Sequence, residues 1–196
     1  MYDVVTMGSA TQDVFAMTDA ETVTFRHGHD EQELIAYPLG SKILIHDIDF
    51  QIGGGGTNTA TTFARQGLKT GFIGKIGKDP SGYAVMKFLK EEGITFLGAV
   101  GHHTGYSIIL DSEEDDRTIL TFKGCNDDLS LEELDTMLME LETRWLYCSS
   151  MLGKSYKTMR HVMKLLKGRG ANVAFNPSCY QAEQGLEALR DVLAHV

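Results

Sequence analysis

Gly53-Gly54-Gly55-Gly56-Thr57-Asn58-Thr59-Ala60 is the stretch whose reading decides the fold. A β-like run, Ile43 to Ile52, leads into it, and a helical pattern, Thr57 to Gln66, leads out. Four consecutive glycines let the backbone turn sharply and come close to a ligand, because no Cβ stands in the way. The first N–H groups of the following helix lack intrahelical partners and are expected to face a bound oxygen atom. Asn58, in that first turn, offers both a donor and an acceptor. The stretch reads as a site for an oxygen-rich small molecule. The plainer alternative is a tight strand-to-helix turn with no ligand.

Two phosphate motifs fail against it. A P-loop needs Lys and then Ser or Thr after its last glycine, but Gly74-Lys75 and Gly77-Lys78 are followed by Ile76 and Asp79. A dinucleotide fingerprint beginning at Gly54 would place Thr59 where the third glycine belongs.

Downstream, the pattern is βα alternation. Ala60, Phe63, Ala64 and Gly67 mark the inner face of the glycine helix, with Gly67 as its stop. Gly71 to Gly77 is a glycine-rich strand, and Asp79-Pro80 starts a helix with an N-cap and a proline at its first position. Thr95 to Val100 is the next strand. Thr104 to Leu110 and Arg117 to Phe122 form a hairpin around the acidic run Asp111 to Asp116, a solvated tip that lacks the spacing of an EF-hand. Ser130-Leu131-Glu132-Glu133 is a capping box ahead of a Leu131, Leu134, Leu138 and Leu141 stripe. Trp145 to Cys148 and Asn172 to Phe175 are further strands. The last helix carries Leu186, Leu189 and Leu193 as its core stripe. Strands separated by helices imply a mainly parallel sheet with right-handed crossovers.

Upstream, Asp3 to Met7 is a short apolar strand ending at Gly8-Ser9. Asp13 lies just past it, near the carboxyl end where open α/β sheets bind ligands. A helix cap or solvated turn is the plain reading of such an aspartate. Residues 18 to 50 change character: Thr22 to Arg26 and Lys42 to Phe50 are β-rich, with no helical period between them. They form a small sheet inserted outside the main layer.

A chain of 196 residues with 42% hydrophobic and 23% charged residues is an ordinary globular one. A formal net charge of −9 argues against nucleic acid or an anionic membrane as partner. No apolar run spans a bilayer, and Met1-Tyr2-Asp3 lacks a basic leader, so a cytoplasmic location is expected. Cys125, Cys148 and Cys179 suggest neither a disulfide framework nor zinc. His27-Gly28-His29 and His102-His103 lack partners spaced to complete a metal set.

The combination resembles the ribokinase, or PfkB, family of carbohydrate kinases. The resemblance rests on Gly8 to Asp13, Gly53 to Ala60, Gly74 to Gly82, Thr104-Gly105 and Gly124-Cys125-Asn126, in the family's order and spacing. It implies a three-layer α/β/α sandwich in one domain over 1–196, with lid strands within about 15–52 and 104–123. It also implies transfer of the ATP γ-phosphoryl group to a hydroxymethyl group of a sugar, sugar phosphate or nucleoside. By position Asp13 matches the aspartate that reads substrate hydroxyls, Gly53, Gly54 and Gly55 match the backbone beside the sugar, and Asn58 matches the adjacent asparagine. Thr11, Tyr106 and Ser149 are placed near lid and substrate. The lid implies a homodimer.

Two positions depart from the family pattern, Gly55 where lysine is frequent and Thr11 where asparagine is common, which leaves the acceptor open. The family's Gly-Ala-Gly-Asp segment, which carries the catalytic base and anion hole, has no match, nor has its Asn-x-x-Glu segment. The expectation is therefore an N-terminal portion that supplies the substrate half. ATP and Mg2+ are implied for the complete enzyme, with no motif here to hold them. A non-catalytic sugar- or nucleoside-binding homologue is the alternative. A dinucleotide oxidoreductase is disfavoured, because the glycine block does not follow the first strand.

Overall fold

A strand covered on both faces reads as a continuous apolar run. Tyr2–Met7 (β1), with Val4, Val5, Thr6 and Met7 buried, is such a strand. After it come β2 (Thr11–Thr18), β3 (Glu21–His27), β4 (Asp30–Ala36), β5 (Ile45–Gly53) and helix α1 (Gly55–Arg65). Next are β6 (Thr70–Ile73), β7 (Lys75–Gly77), α2 (Pro80–Glu91), β8 (Thr95–Phe96) and β9 (Ala99–Gly101). Strands β10 (Gly105–Asp111) and β11 (Arg117–Phe122) precede a 3-10 turn, Gly124–Asp127, and a short α3 (Asp135–Glu140). The remaining elements are β12 (Thr143–Ser149), α4 (Gly153–Gly168), β13 (Asn172–Asn176), α5 (Cys179–Ala182) and α6 (Gly185–Leu193).

The computed structural model describes all residues but 20, 29 and 112–116. The acidic tip expected beyond Asp111 and one histidine of the His27-Gly28-His29 motif lie outside the described residues. The chain divides into two units: Met1–Gln12, Ile52–Gly105 and Lys123–Val196 in the first, Asp13–Gln51 and Tyr106–Phe122 in the second.

In the first unit, β1 is the middle of a five-stranded parallel sheet ordered β13-β12-β1-β6-β8. Side chains alternate across it and build two cores. On one face Val5, Met7, Ile73, Leu146 and Cys148 cluster with Met159, Val162, Met163 and Leu166 of α4. Phe72 joins the other cluster, with Ala60 of α1 and Val85 and Leu89 of α2. Helices thus cover both faces, and each buried aliphatic side chain contributes about 1.5–3 kcal/mol.

The single strands expected at Gly71–Gly77 and Thr95–Val100 are each broken in two. Gly74 and Gly98 meet at the break: a Cβ on Gly98 would stand 1.9 Å from the Gly74 carbonyl oxygen. This close approach moves β7 and β9 out of the main sheet into a parallel pair of their own. Asp79 caps α2 as read, its Oδ1 accepting from the Gly82 N–H at 2.8 Å.

Two expectations for the later helices need correction. The Glu133 carboxylate does accept from the Ser130 N–H at 2.9 Å, yet α3 begins only at Asp135, and Glu133 also accepts from Lys75 Nζ at 3.0 Å. On α6, Leu189 and Val192 are buried while Leu186 and Leu193 are exposed. The buried pair is spaced for one helical face, and that face turns away from Leu186.

The second unit holds a four-stranded sheet ordered β11-β10-β2-β5 and an antiparallel β3–β4 pair. Strand β4, Asp-Glu-Gln-Glu-Leu-Ile-Ala, is absent from the sequence reading, since acidic residues are poor strand formers. Pairing supplies what propensity lacks: Val23 stands opposite Leu34, and Arg26 bonds Glu31 at 3.2 Å. Lys42, Ile43 and Leu44 fall outside β5, which begins at Ile45.

Candidate functional site

The glycine turn sits where β5 passes into α1. Gly53 is the buried last residue of β5, and Gly54 is the helix N-cap with φ 102°. Gly54 has no side chain with which to cap, and α1 has no acidic residue in its first turn. Its free N–H groups must find other acceptors. Ser9 supplies them: its Oγ accepts from the Gly55 N–H at 3.1 Å and its carbonyl from the Gly56 N–H at 3.0 Å and the Thr57 N–H at 3.4 Å. The expectation that these groups face a ligand is therefore overturned, because the turn after β1 occupies them first.

Close packing explains the glycines. A Cβ on Gly54 would lie 2.5 Å from the Ser9 carbonyl oxygen, and one on Gly56 would lie 2.5 Å from the Phe72 ring. A Cβ on Gly55 would meet Ser149 Oγ at 2.7 Å, and one on Gly8 would meet the same atom at 2.1 Å. Ser149, at the carboxyl end of β12, is thus brought against the glycine turn and the end of β1. Its Oγ is buried and has no hydrogen-bond partner among the described residues. Asn58 stands exposed in the first turn of α1. Sequence reasoning gave no role to Ser9, although a serine ending a strand-to-turn segment is the signal that could have found it.

Thr11 is buried at the start of β2, where a Cβ on Gly105 would stand 2.9 Å from its methyl group. Asp13 lies inside β2, in the second unit, and not in a turn past β1. Its Oδ1 is buried without a partner among the described residues. Tyr106, on β10 of the second unit, is half-buried opposite Phe122.

Three polar groups of the first unit fasten the loops around this edge. Asn126 bonds both backbone groups of Ala10. Lys75 is buried, with Nζ 2.8 Å from Glu133 and 3.2 Å from Asp128. Burial works against its charge, but the two carboxylates outweigh that and raise its pKa. Asp79 also accepts from the Thr104 hydroxyl at 2.6 Å and the Thr104 N–H at 2.8 Å. Burial pushes the Asp79 carboxyl up, yet these donors and that of Gly82 hold it below the ordinary range. Cys125 is buried beside Lys75, and desolvation pushes its thiol up to about 11, which favours the protonated form.

No three His, Cys, Asp or Glu side chains stand close enough to hold a metal ion among the described residues. No described helix is long and apolar enough to cross a membrane.

The profile of the pfkB family of carbohydrate kinases matches residues 4–196. An uncharacterized sugar kinase of Archaeoglobus fulgidus is 26% identical over 132 residues, covering 66% of this chain and 52% of that protein. A ribokinase of Haemophilus influenzae is 33% identical over 140 residues, covering 63% of this chain and 46% of the relative. The crystal structure of a PfkB protein from Polaromonas sp. JS666 overlays with a TM-score of 0.74 at 20% identity. It covers 100% of this chain and 64% of that one, a likeness in fold alone. The chain spans about half the length of the two sequence relatives. With its glycine turn, its parallel sheet and this match along almost its whole length, the chain belongs to the PfkB family of carbohydrate kinases.

Proposed function

We propose that this chain is the acceptor-binding portion of a kinase that transfers the ATP γ-phosphoryl group to a hydroxymethyl group of a sugar, sugar phosphate or nucleoside. The observation that carries the reading is a pair of unsatisfied oxygens. Among the described residues four buried side-chain polar atoms lack a partner, and two of them are Asp13 Oδ1 and Ser149 Oγ, both chosen from sequence as site residues. Leaving such an atom unpaired costs about 1–3 kcal/mol. Each of these oxygens lacks a hydrogen-bonding group among the described residues, and a polyhydroxylated acceptor is the ligand class rich in them. Asp13 accepts acceptor hydroxyls through charge-assisted bonds, which orient the ring. In the first unit, Ser149 and exposed Asn58 are the polar side chains offered to an acceptor, beside a glycine turn whose N–H groups are held by Ser9.

ATP and Mg2+ belong with the family's Gly-Ala-Gly-Asp segment, which these 196 residues do not contain. Phosphoryl transfer depends on positioning and electrostatic stabilisation of the γ-phosphoryl group, so these residues by themselves bind without transferring. The second unit is the lid, and an apolar face of its β10–β11 pair is the dimer surface. Ile108 opposite Leu120 and Tyr106 opposite Phe122 share one face of β10 and β11, on which Ile108, Leu120 and Phe122 are exposed.

Reading the encoding DNA past the Val196 codon tests the kinase reading. An in-frame Gly-Ala-Gly-Asp segment is expected. A stop codon there would replace the kinase reading with that of a sugar- or nucleoside-binding homologue without catalysis.

A further inference from the structure

Helix α4 is the most cationic element of an acidic chain. It carries Lys154, Lys157, Arg160, His161, Lys164 and Lys167, and no Asp or Glu. Its inner face is set by Ser155, Thr158, Met159, Val162, Met163 and Leu166, all buried. The cations consequently fall together on the outer face, where Lys157, Arg160, His161 and Lys164 follow the i, i+3, i+4, i+7 spacing of one stripe. This arrangement opposes helix stability twice. Like charges three and four residues apart repel, and Lys154 and Lys157 lie near the positive end of the helix dipole. A chain with 27 acidic residues had ample carboxylates to place there. Arg160 alone of this stripe makes an ion pair among the described residues, with Asp191 of α6.

The stripe borders a groove. Lys157, Arg160, His161 and Lys164 form one wall, and Asp191 of α6 and His195 just past its end stand on the other, around a cavity of about 580 Å3. That volume is in the range of small-molecule sites. Lys157 and Lys164 are about 10 Å apart along the axis, with Arg160 between them. The spacing suits successive anionic groups on one compact ligand. The net charge of −9 repels an extended polyanion such as nucleic acid or a membrane surface. A small anion, held within a screening length of the stripe, does not meet that field.

We infer that the α4–α6 groove is a binding site for a compact polyphosphate anion, separate from the acceptor residues and independent of the kinase reading. Free polyphosphate and the phosphate chain of a nucleotide share this chemistry.

The test is calorimetric titration of the 196-residue chain with inorganic tripolyphosphate at low ionic strength. Lys157→Glu/Lys164→Glu should weaken binding at least about tenfold. Asp191→Asn, which frees Arg160 from its partner, should tighten it by about two- to fivefold. Lys87→Glu, a charge reversal on the exposed side of α2, should leave it unchanged. Titrations with ATP and AMP distinguish the sources: ATP matching tripolyphosphate, with AMP much weaker, assigns a phosphate chain that tolerates a nucleoside. No binding of tripolyphosphate by the wild type, equal binding by the double variant, an equal loss in Lys87→Glu, or AMP matching ATP would each overturn the site.

Discussion

Asn126 brackets Ala10: its Oδ1 accepts from the Ala10 N–H at 3.0 Å, and its Nδ2 donates to the Ala10 carbonyl at 2.9 Å. The side-chain amide does what a neighbouring strand would do, across 116 residues of sequence. It fixes the backbone just before β2, three residues ahead of Asp13. Asn126 is 2% exposed, so water does not readily replace it. Asn126→Ala should therefore cost about 2–4 kcal/mol, since two buried backbone groups lose their partners. Urea denaturation measures this, and a loss below about 1 kcal/mol would show that the bracket matters little.

Lys75 provides a second case, with a different balance. Its side chain is 7% exposed, but the partner side chains of Asp128 and Glu133 are 67% and 32% exposed. Those carboxylates can rehydrate when the lysine is lost. Lys75→Met, which keeps the aliphatic stem, should cost only about 1–2 kcal/mol, against about 3–5 kcal/mol for breaking a fully buried pair. The same denaturation experiment decides between these ranges.

Acid should expose the same cluster. Burial alone would push the Glu133 carboxyl up, but the Lys75 ammonium and the Ser130 N–H outweigh it and hold the pKa below the ordinary value. A depressed carboxyl contributes stability that is present above its unfolded pKa and lost as pH falls through the folded one. Wild-type stability should decline below about pH 4. Glu133→Gln should be less stable at pH 7 and show a shallower decline. Urea midpoints between pH 7 and pH 3 provide the comparison, and parallel curves for the two proteins would refute the link.

Gly54 and Gly67 separate two reasons for glycine. Both have positive φ, 102° and 85°, yet a Cβ on Gly67 would meet nothing within 4 Å, while one on Gly54 would press on Ser9 and Ala10. Gly67→Ala should cost about 1 kcal/mol, the left-handed backbone penalty alone. Gly54→Ala should add an overpacking cost and reach about 3 kcal/mol or more. Equal losses in thermal unfolding would mean that the turn has room to relax.

Local signals were legible in sequence and distant contacts were not. Asp79-Pro80 announced α2, and the Asp3 to Met7 run announced a short apolar strand, because cap chemistry and apolar patterning act within a few residues. The acidic β4 was missed, since its strand character comes from pairing with β3. Ser9 was missed as the cap of α1 because 46 residues separate the two partners. Asp13 and Ser149 were selected as site residues through family resemblance, and no local pattern announces that their oxygens are buried without partners among the described residues. The breaks at Gly74 and Gly98 follow from a contact that no local pattern encodes.

The most direct measurement of acceptor binding is calorimetric titration of wild type and Asp13→Ala with D-ribose, D-fructose and adenosine. At least one of the three should bind the wild type, and Asp13→Ala should weaken that binding by about tenfold to a hundredfold, the cost of a lost charge-assisted hydrogen bond. Binding of none of the three, or an unchanged affinity in Asp13→Ala, would contradict the assignment.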